Sequence, residues 1–124
     1  ETLPSFPDAC EGLFRLRKKF TVVTCSNAPL GFTTRLLKNA GLHFDAITPL
    51  EMFEVFKPQP EAYLAVSVTQ GVLPNEITMV TGNKQIGRNP KGDWQYAADL
   101  GMQGILIRQN PSATIIELAE QLGC

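Results

Sequence analysis

Residues 20–27, Phe-Thr-Val-Val-Thr-Cys-Ser-Asn, decide the fold class of this chain. The run begins with apolar and β-branched residues, ends on Ser26 and Asn27, and is followed by Ala28 and Pro29. A short apolar run bounded in this way is typical of a buried strand in a parallel sheet. Open α/β sheets bind their ligands just beyond the carboxyl ends of such strands. A hydroxyl and an amide at that point can hold an anionic oxygen or a carboxylate, so this segment is the first candidate for a site.

Helical and extended patterns alternate along the rest of the chain. Helices are predicted to begin at Ser5, Leu30, Pro60, Asp93 and Ser112. Further strands are predicted at residues 46–48, 77–81 and 104–107. Residues 82–92 form a loop that is long for a connection between strand and helix, and we expect it to be mobile. The alternation predicts an α/β fold of the three-layer, Rossmann-like type, in which helices cover both faces of a parallel sheet.

The composition is that of an ordinary globular domain, with 124 residues, 44% of them hydrophobic and 19% charged. The net charge of −1 gives no electrostatic reason to expect nucleic acid or an acidic membrane as a partner. No apolar run approaches the roughly 20 residues that a membrane helix needs. The cysteines are Cys10, Cys25 and Cys124, without a Cys-x-x-Cys pair. Such a scattered, odd set argues against a disulfide framework, so we expect a cytoplasmic protein.

Polar side chains suited to an anion occur at three predicted junctions between strand and helix. They are Ser26 and Asn27, then Lys57, then Thr81, Asn83 and Asp93. An ammonium group can neutralise developing negative charge, while hydroxyl and amide groups orient it. Simpler interpretations stay open for each residue. Ser26 also suits a cap of the following helix, and Lys57 an exposed loop. Asp93 is equally well placed as a helix N-cap, and Asn83 as a residue that satisfies a turn.

Four short motifs follow one another in a fixed order. They are the strand ending in Ser26-Asn27, the run Lys57-Pro58-Gln59-Pro60-Glu61-Ala62-Tyr63, the run Val80-Thr81-Gly82-Asn83, and the helix ending Ala97-Ala98-Asp99-Leu100-Gly101-Met102. Together they resemble the haloacid dehalogenase (HAD) superfamily of hydrolases over nearly the whole chain. The resemblance implies that Ser26 and Lys57 bind the anionic part of a small anionic substrate.

Two residues bear on the type of hydrolase that the chain resembles. Tyr63 stands six residues after Lys57, a feature of the 2-haloacid dehalogenases, which use no cofactor. Asn83 stands where phosphatases of the superfamily usually carry an aspartate that helps to hold Mg²⁺. If the protein is phosphatase-like instead, the resemblance makes Asp93 a Mg²⁺ ligand. The implied catalytic residues are thus Lys57, Ser26 and Asp93, and the implied substrate-binding residues are Asn27, Tyr63, Thr81 and Asn83.

The nucleophile of the superfamily is an aspartate in an Asp-x-Asp or Asp-x-Tyr-Gly-Thr segment on the first, central strand, and the 124 residues contain no such segment. Asp8 and Asp45 stand in other contexts. We therefore expect residues 1–124 to be an N-terminally incomplete HAD-like core domain that is inactive alone. An upstream segment or a partner chain is expected to fill the central position between the strands at 20–25 and 77–81, unless a rearrangement pairs these two strands directly. The alternatives are a Mg²⁺-dependent phosphatase and a non-catalytic binding or regulatory domain that kept the fold.

Overall fold

The structure, a computed structural model, describes residues 9–81, 91–106 and 115–124. The helices within these ranges are α1 (Ala9–Lys19), α2 (Leu30–Ala40), α3 (Pro60–Gln70), α4 (Asp93–Asp99) and α5 (Ile115–Gln121). The strands are β1 (Val23–Cys25), β2 (Ala46–Thr48), β3 (Thr78–Thr81) and β4 (Gln103–Leu106). Short 3₁₀ turns lie at Leu50–Phe53 and Pro74–Glu76. The predicted helix starts at Ser5 and Ser112, and residues 82–90 of the predicted mobile loop, lie outside the described residues.

The ends of the helices follow the local chemistry of the sequence. Gly41 and Gly71 close α2 and α3 with φ angles of 70° and 67°, a left-handed backbone conformation that glycine adopts at little cost. Pro60 occupies the first turn of α3, where the backbone N–H that proline lacks has no helical partner anyway. The helices α2, α3 and α4 begin at Leu30, Pro60 and Asp93, which confirms the three predicted starts.

Strand β1 is shorter than predicted, because at its start the backbone N–H of Val22 donates to a side chain, that of Asp45, instead of to a strand neighbour. The N–H of Val22 donates to Asp45 Oδ2 at 2.7 Å, and Arg17 Nε donates to Asp45 Oδ1 at 3.0 Å. The ladder with β2 begins only at Val23, which pairs with Ala46. The hydrogen bond from Val22, followed by the charge and hydrogen bond of Arg17, holds the pKa of the Asp45 carboxyl below its ordinary value. Asp45 therefore has a structural role that joins α1, β1 and β2.

The described strands form two parallel pairs rather than one continuous sheet. β1 pairs with β2, ending at Cys25 opposite Thr48, and β3 pairs with β4, ending at Thr81 opposite Leu106. In residues 9–81 and 91–106, no ladder joins β1 to β3. Each pair thus has an inner edge without a strand partner in the described chain. A further strand between β1 and β3 stays a prediction.

Helices pack on both faces of the strand pairs, which confirms the predicted α/β class. On one face, Leu16 of α1 packs with Leu118 and Ala119 of α5 against Val22 and Ile105. On the other face, α3 and α4 bury a cluster made of Tyr63, Met79, Ala97 and Met102, with Cys25 at its edge. Burial of this apolar surface is the main stabilising term of such a fold. None of the helices in the described ranges combines the length and hydropathy of a membrane span.

Helix α3 contacts both strand pairs. Its Ala62 packs with Leu50 and Cys25, on the side of β1 and β2. Its next residue, Tyr63, packs with Met79 of β3. The last residue of β1 and Met79 in β3 therefore both contact the first turn of α3, which follows shortly after Lys57.

Candidate active site

A buried triad of side chains lies at the N-terminal end of α3. Lys57 Nζ donates to Asp93 Oδ2 at 2.8 Å, and the Tyr63 hydroxyl donates to Asp93 Oδ1 at 2.8 Å. The Lys57 and Asp93 side chains are only 12% and 5% exposed, and Tyr63 is fully buried. Each carboxylate oxygen thus has its own donor, which a buried charged pair requires.

Two of the simpler interpretations are wrong. Asp93 is not an N-cap, because Gly92 caps α4 and Asp93 is the first helical residue. Lys57 is not an exposed loop lysine, because its side chain is only 12% exposed and its ammonium donates to the Asp93 carboxylate. Both side chains face the interior of the protein at the junction of α3 and α4. The triad joins residues 30 and 36 positions apart in the chain, so it depends on tertiary packing.

The end of β1 is attached to the Lys57 segment by Asn27. The Lys57 N–H donates to Asn27 Oδ1 at 2.7 Å, and Asn27 Nδ2 donates to the Lys57 carbonyl at 3.2 Å. The strand end and the start of α3 are therefore held together, as expected for residues that share one edge of the sheet.

Ser26 does not cap the following helix. Pro29 occupies the N-cap position of α2, where no side-chain hydrogen bond is made. Ser26 Oγ instead accepts from the Ala28 N–H at 3.1 Å. That bond uses a lone pair of the oxygen, so within the described part of the chain the hydroxyl proton is available to donate to a ligand.

Cys25, which was not among the predicted site residues, lies beside the triad. Burial raises the pKa of the Cys25 thiol to about 11, against a smaller lowering effect of the Lys57 charge. Burial and the hydrogen bond to Asp93 also raise the pKa of Tyr63 far above its ordinary range. Both groups stay protonated at neutral pH. Tyr63 is therefore a hydrogen-bond donor to Asp93, and Cys25 is not a nucleophile.

We predict that Cys25 resists alkylation by iodoacetamide at pH 8, because a pKa of about 11 leaves about a hundredfold less thiolate than an ordinary thiol has. The exposed Cys10 should be modified first. The check is peptide mass spectrometry of the folded protein over time. The Lys57→Met variant should alkylate still more slowly at Cys25, since it loses the charge that lowers this pKa. Equal rates at Cys10 and Cys25 would contradict the geometry.

Thr81 and Asn83 complete the set of predicted site residues. Thr81 is the last residue of β3 and is buried. Asn83 lies outside the described residues, so its predicted place beside Ser26 and Lys57 stays a prediction. The structure thus brings Asn27, Lys57, Tyr63 and Asp93 into direct contact, with Ser26 next in the chain to Asn27.

Tyr96 is a neighbour of the triad that sequence reasoning missed. Its ring stacks on that of Tyr63, with centroids 6.1 Å apart and planes 18° from parallel. Lys91 Nζ lies 4.5 Å from the centroid of the Tyr96 ring. Tyr96 could have been predicted from the sequence, because a residue three positions after Asp93 lies on the same face of a helix. Tyr96 thus packs against the Tyr63 ring, whose hydroxyl donates to Asp93.

The side chains of the site also bear on metal binding. In the described ranges, no group of three or more His, Cys, Asp or Glu side chains could hold one. Asp93, the ligand that a phosphatase-like protein would use, has its two oxygens bonded to Lys57 and Tyr63. In the described residues Asp93 holds Lys57, and its predicted use as a Mg²⁺ ligand stays a prediction.

The comparison with known proteins bears out the resemblance. No family model matches the chain. In sequence, the chain is 35% identical to an (S)-2-haloacid dehalogenase from Xanthobacter autotrophicus over 83 residues, which are 65% of this chain and 32% of that protein. In structure, it matches an L-2-haloacid dehalogenase with a TM-score of 0.84 and 20% identity, over 98% of this chain and 57% of the other. It also matches a HAD family enzyme from Bacteroides thetaiotaomicron, crystallised with magnesium and inorganic phosphate, with a TM-score of 0.69 and 20% identity, over 86% of this chain and 54% of the other.

The fold is therefore that of the haloacid dehalogenase superfamily. Within it, the sequence is similar to that of a 2-haloacid dehalogenase. The match spans about a third of the curated relative and about half of each solved structure.

Proposed function

We propose that this chain is the core domain of a 2-haloacid dehalogenase-like hydrolase and carries the site for the anionic group of its substrate. The observation that carries the proposal is the Lys57 ammonium, held in one place by the buried Asp93 carboxylate near the end of β1. A fixed cation in a site of low water content binds an anion more strongly than a mobile surface lysine does. The 35% identity to a 2-haloacid dehalogenase supports a small 2-haloacid as the substrate.

The roles of the side chains follow from their hydrogen-bonding capacity. Lys57 and the Ser26 hydroxyl would donate to the anionic group. Asp93 would hold Lys57 and help to position water. Substrate-binding roles for Asn27, Tyr63, Thr81 and Asn83 stay predictions. The free, scattered cysteines also support the proposal of a cytoplasmic protein.

The nucleophile is proposed to be an aspartate on a strand that lies between β1 and β3, supplied by an upstream segment or a partner chain. The unpaired inner edges of the two strand pairs support this placement. A carboxylate oxygen would bond to C2 of the substrate as the carbon–halogen bond breaks and halide leaves. Water would then attack the carbonyl carbon of the resulting ester. The products are a 2-hydroxy acid and the restored carboxylate, with one proton released.

The test is an assay of the full-length protein with 2-chloropropionate and with a phosphate monoester, with and without Mg²⁺. The proposal predicts chloride release that chelators do not reduce. Phosphate release that requires Mg²⁺ would establish the phosphatase alternative instead. If the folded protein shows neither activity, the result favours the alternative of a non-catalytic binding or regulatory domain.

We predict that the 124-residue chain alone has no turnover on either substrate, because it contains no nucleophile segment. The measurement is chloride or phosphate release by the purified chain, with the Lys57→Met variant as a control for contamination. Turnover by the chain that the Lys57 substitution abolishes would overturn the proposed source of the nucleophile.

A further inference from the structure

The ring of Tyr96 packs against the buried triad that Lys57, Tyr63 and Asp93 form. Its centroid lies 6.1 Å from that of the Tyr63 ring, and the two planes are 18° from parallel. Tyr63 is fully buried, whereas Tyr96 is only partly buried. Aromatic pairs at such distances favour an offset-stacked arrangement, which restricts the orientation of both rings. Tyr96 therefore restrains the ring whose hydroxyl donates to Asp93.

Tyr96 is itself held by a residue at the protein surface. Lys91 Nζ lies over the Tyr96 ring, 4.5 Å from its centroid, and also pairs with Asp99 of the same helix. The Lys91 side chain is 41% exposed. A cation over an aromatic face is attracted by the electron density of the ring. The contacts thus form a continuous series from Lys91 at the surface, through two stacked rings, to the buried Asp93 carboxylate.

The place of the Lys57 ammonium depends on the Tyr63 hydroxyl. Tyr63 donates to Oδ1 of Asp93, and Lys57 Nζ donates to Oδ2. If the hydroxyl moved away, Oδ1 would be a buried acceptor without a donor, and the ammonium would shift toward it. A displacement of about 1 Å in a site of this kind can cost about a hundredfold in rate, and the two oxygens of a carboxylate are further apart than that.

We propose that Tyr96 is a positioning residue, whose ring keeps the Tyr63 hydroxyl on Asp93 Oδ1 and thereby confines the Lys57 ammonium to Oδ2. The inference rests on the proposed role of Lys57 in binding the anion. Tyr96 acts through its ring, so phenylalanine can replace it and a side chain without a ring cannot. It acts through the Tyr63 hydroxyl, so it has no effect on the rate once that hydroxyl is removed.

The structural test is nitration of Tyr63 by tetranitromethane in the full-length protein, mapped by peptide mass spectrometry, which needs no activity. Tyr96→Leu should raise the rate at Tyr63 by about tenfold, because the ring loses its stacking partner and opens to the reagent more often. Tyr96→Phe should keep the wild-type rate. Leu100→Ala, which truncates another partly buried side chain of the same cluster, is the matched control and should also keep it. An unchanged rate in Tyr96→Leu, or an equal rise in Leu100→Ala, would overturn the proposal.

The kinetic test uses the full-length protein with 2-chloropropionate. Tyr96→Leu should lower kcat by about tenfold with KM within about twofold, and should have no further effect when Tyr63 is already Phe. Tyr96→Phe should retain the wild-type kcat. A raised KM with an unchanged kcat in Tyr96→Leu would overturn the proposal, because it would show direct contact with the substrate. If the full-length protein releases no halide at all, the proposed function fails, and the nitration measurement still decides whether Tyr96 holds Tyr63.

Discussion

Replacing Asp93 with alanine is expected to lower the free energy of unfolding by about 3–5 kcal/mol. The substitution leaves the Lys57 ammonium without its buried counter-charge and the Tyr63 hydroxyl without its acceptor. A buried charge that has lost its partner is among the most destabilising defects in a protein, because it has been removed from water without compensation.

Urea denaturation of the variant measures the effect. The matched control is Asp99→Ala, which breaks the pair between Lys91 and Asp99 in the same helix region, where the side chains are 41% and 62% exposed. An exposed pair of this kind should cost less than about 1 kcal/mol. The double variant Lys57→Met with Asp93→Ala should regain part of the loss, since no unpaired charge remains. Equal losses for Asp93→Ala and Asp99→Ala would contradict the burial of the triad.

Replacing Gly104 with alanine is expected to be nearly as damaging, at about 3 kcal/mol. A Cβ atom at Gly104 would lie 2.2 Å from the backbone oxygen of Trp94 and 2.9 Å from its carbonyl carbon. Those atoms belong to the first turn of α4 and cannot rotate away as a side chain can. The strand β4 and the helix α4 would have to separate, which would also move Asp93, the residue before Trp94.

Thermal unfolding of Gly104→Ala checks this prediction, together with the Cys25 alkylation rate as a report on the triad. The matched control is Gly31→Ala in α2, where the nearest atom to a new Cβ is Arg35 Nη1 at 3.5 Å. There alanine should be neutral or stabilising by about 0.5–1 kcal/mol, because it favours a helix more than glycine does. A Gly104→Ala variant as stable as Gly31→Ala would show that α4 does not pack closely on β4.

Much of the fold could be predicted from the sequence, because the relevant signals are local. Gly41 and Gly71 end helices through their own conformational freedom, and Pro60 starts one through its fixed φ angle. The spacing from Lys57 to Tyr63 also indicated that both residues belong to one site, since Pro60 starts α3 and places Tyr63 one turn into it. These features need no knowledge of the tertiary structure.

The role of Asp93 could not be predicted from the sequence in the same way. Its position at the start of a helix suits a cap as well as a site, and the competing role of Gly92 becomes visible only in the structure. What decides the outcome is the packing of α3 on α4 through Tyr63 and Ala97, which are far apart in sequence. The Asp45 side chain that shortens β1 likewise makes a contact that could not be predicted from a local sequence pattern.

Chloride release from 2-chloropropionate by the full-length Lys57→Met variant decides whether the Lys57 ammonium binds the anionic group of a 2-haloacid. Methionine keeps most of the length and apolar surface of the lysine stem but removes the charge. We predict a fall in kcat/KM of about 100- to 1000-fold, the range found when one donor to a developing anion is removed. A variant that stays folded and has a kcat/KM within about threefold of the wild type would contradict the claim.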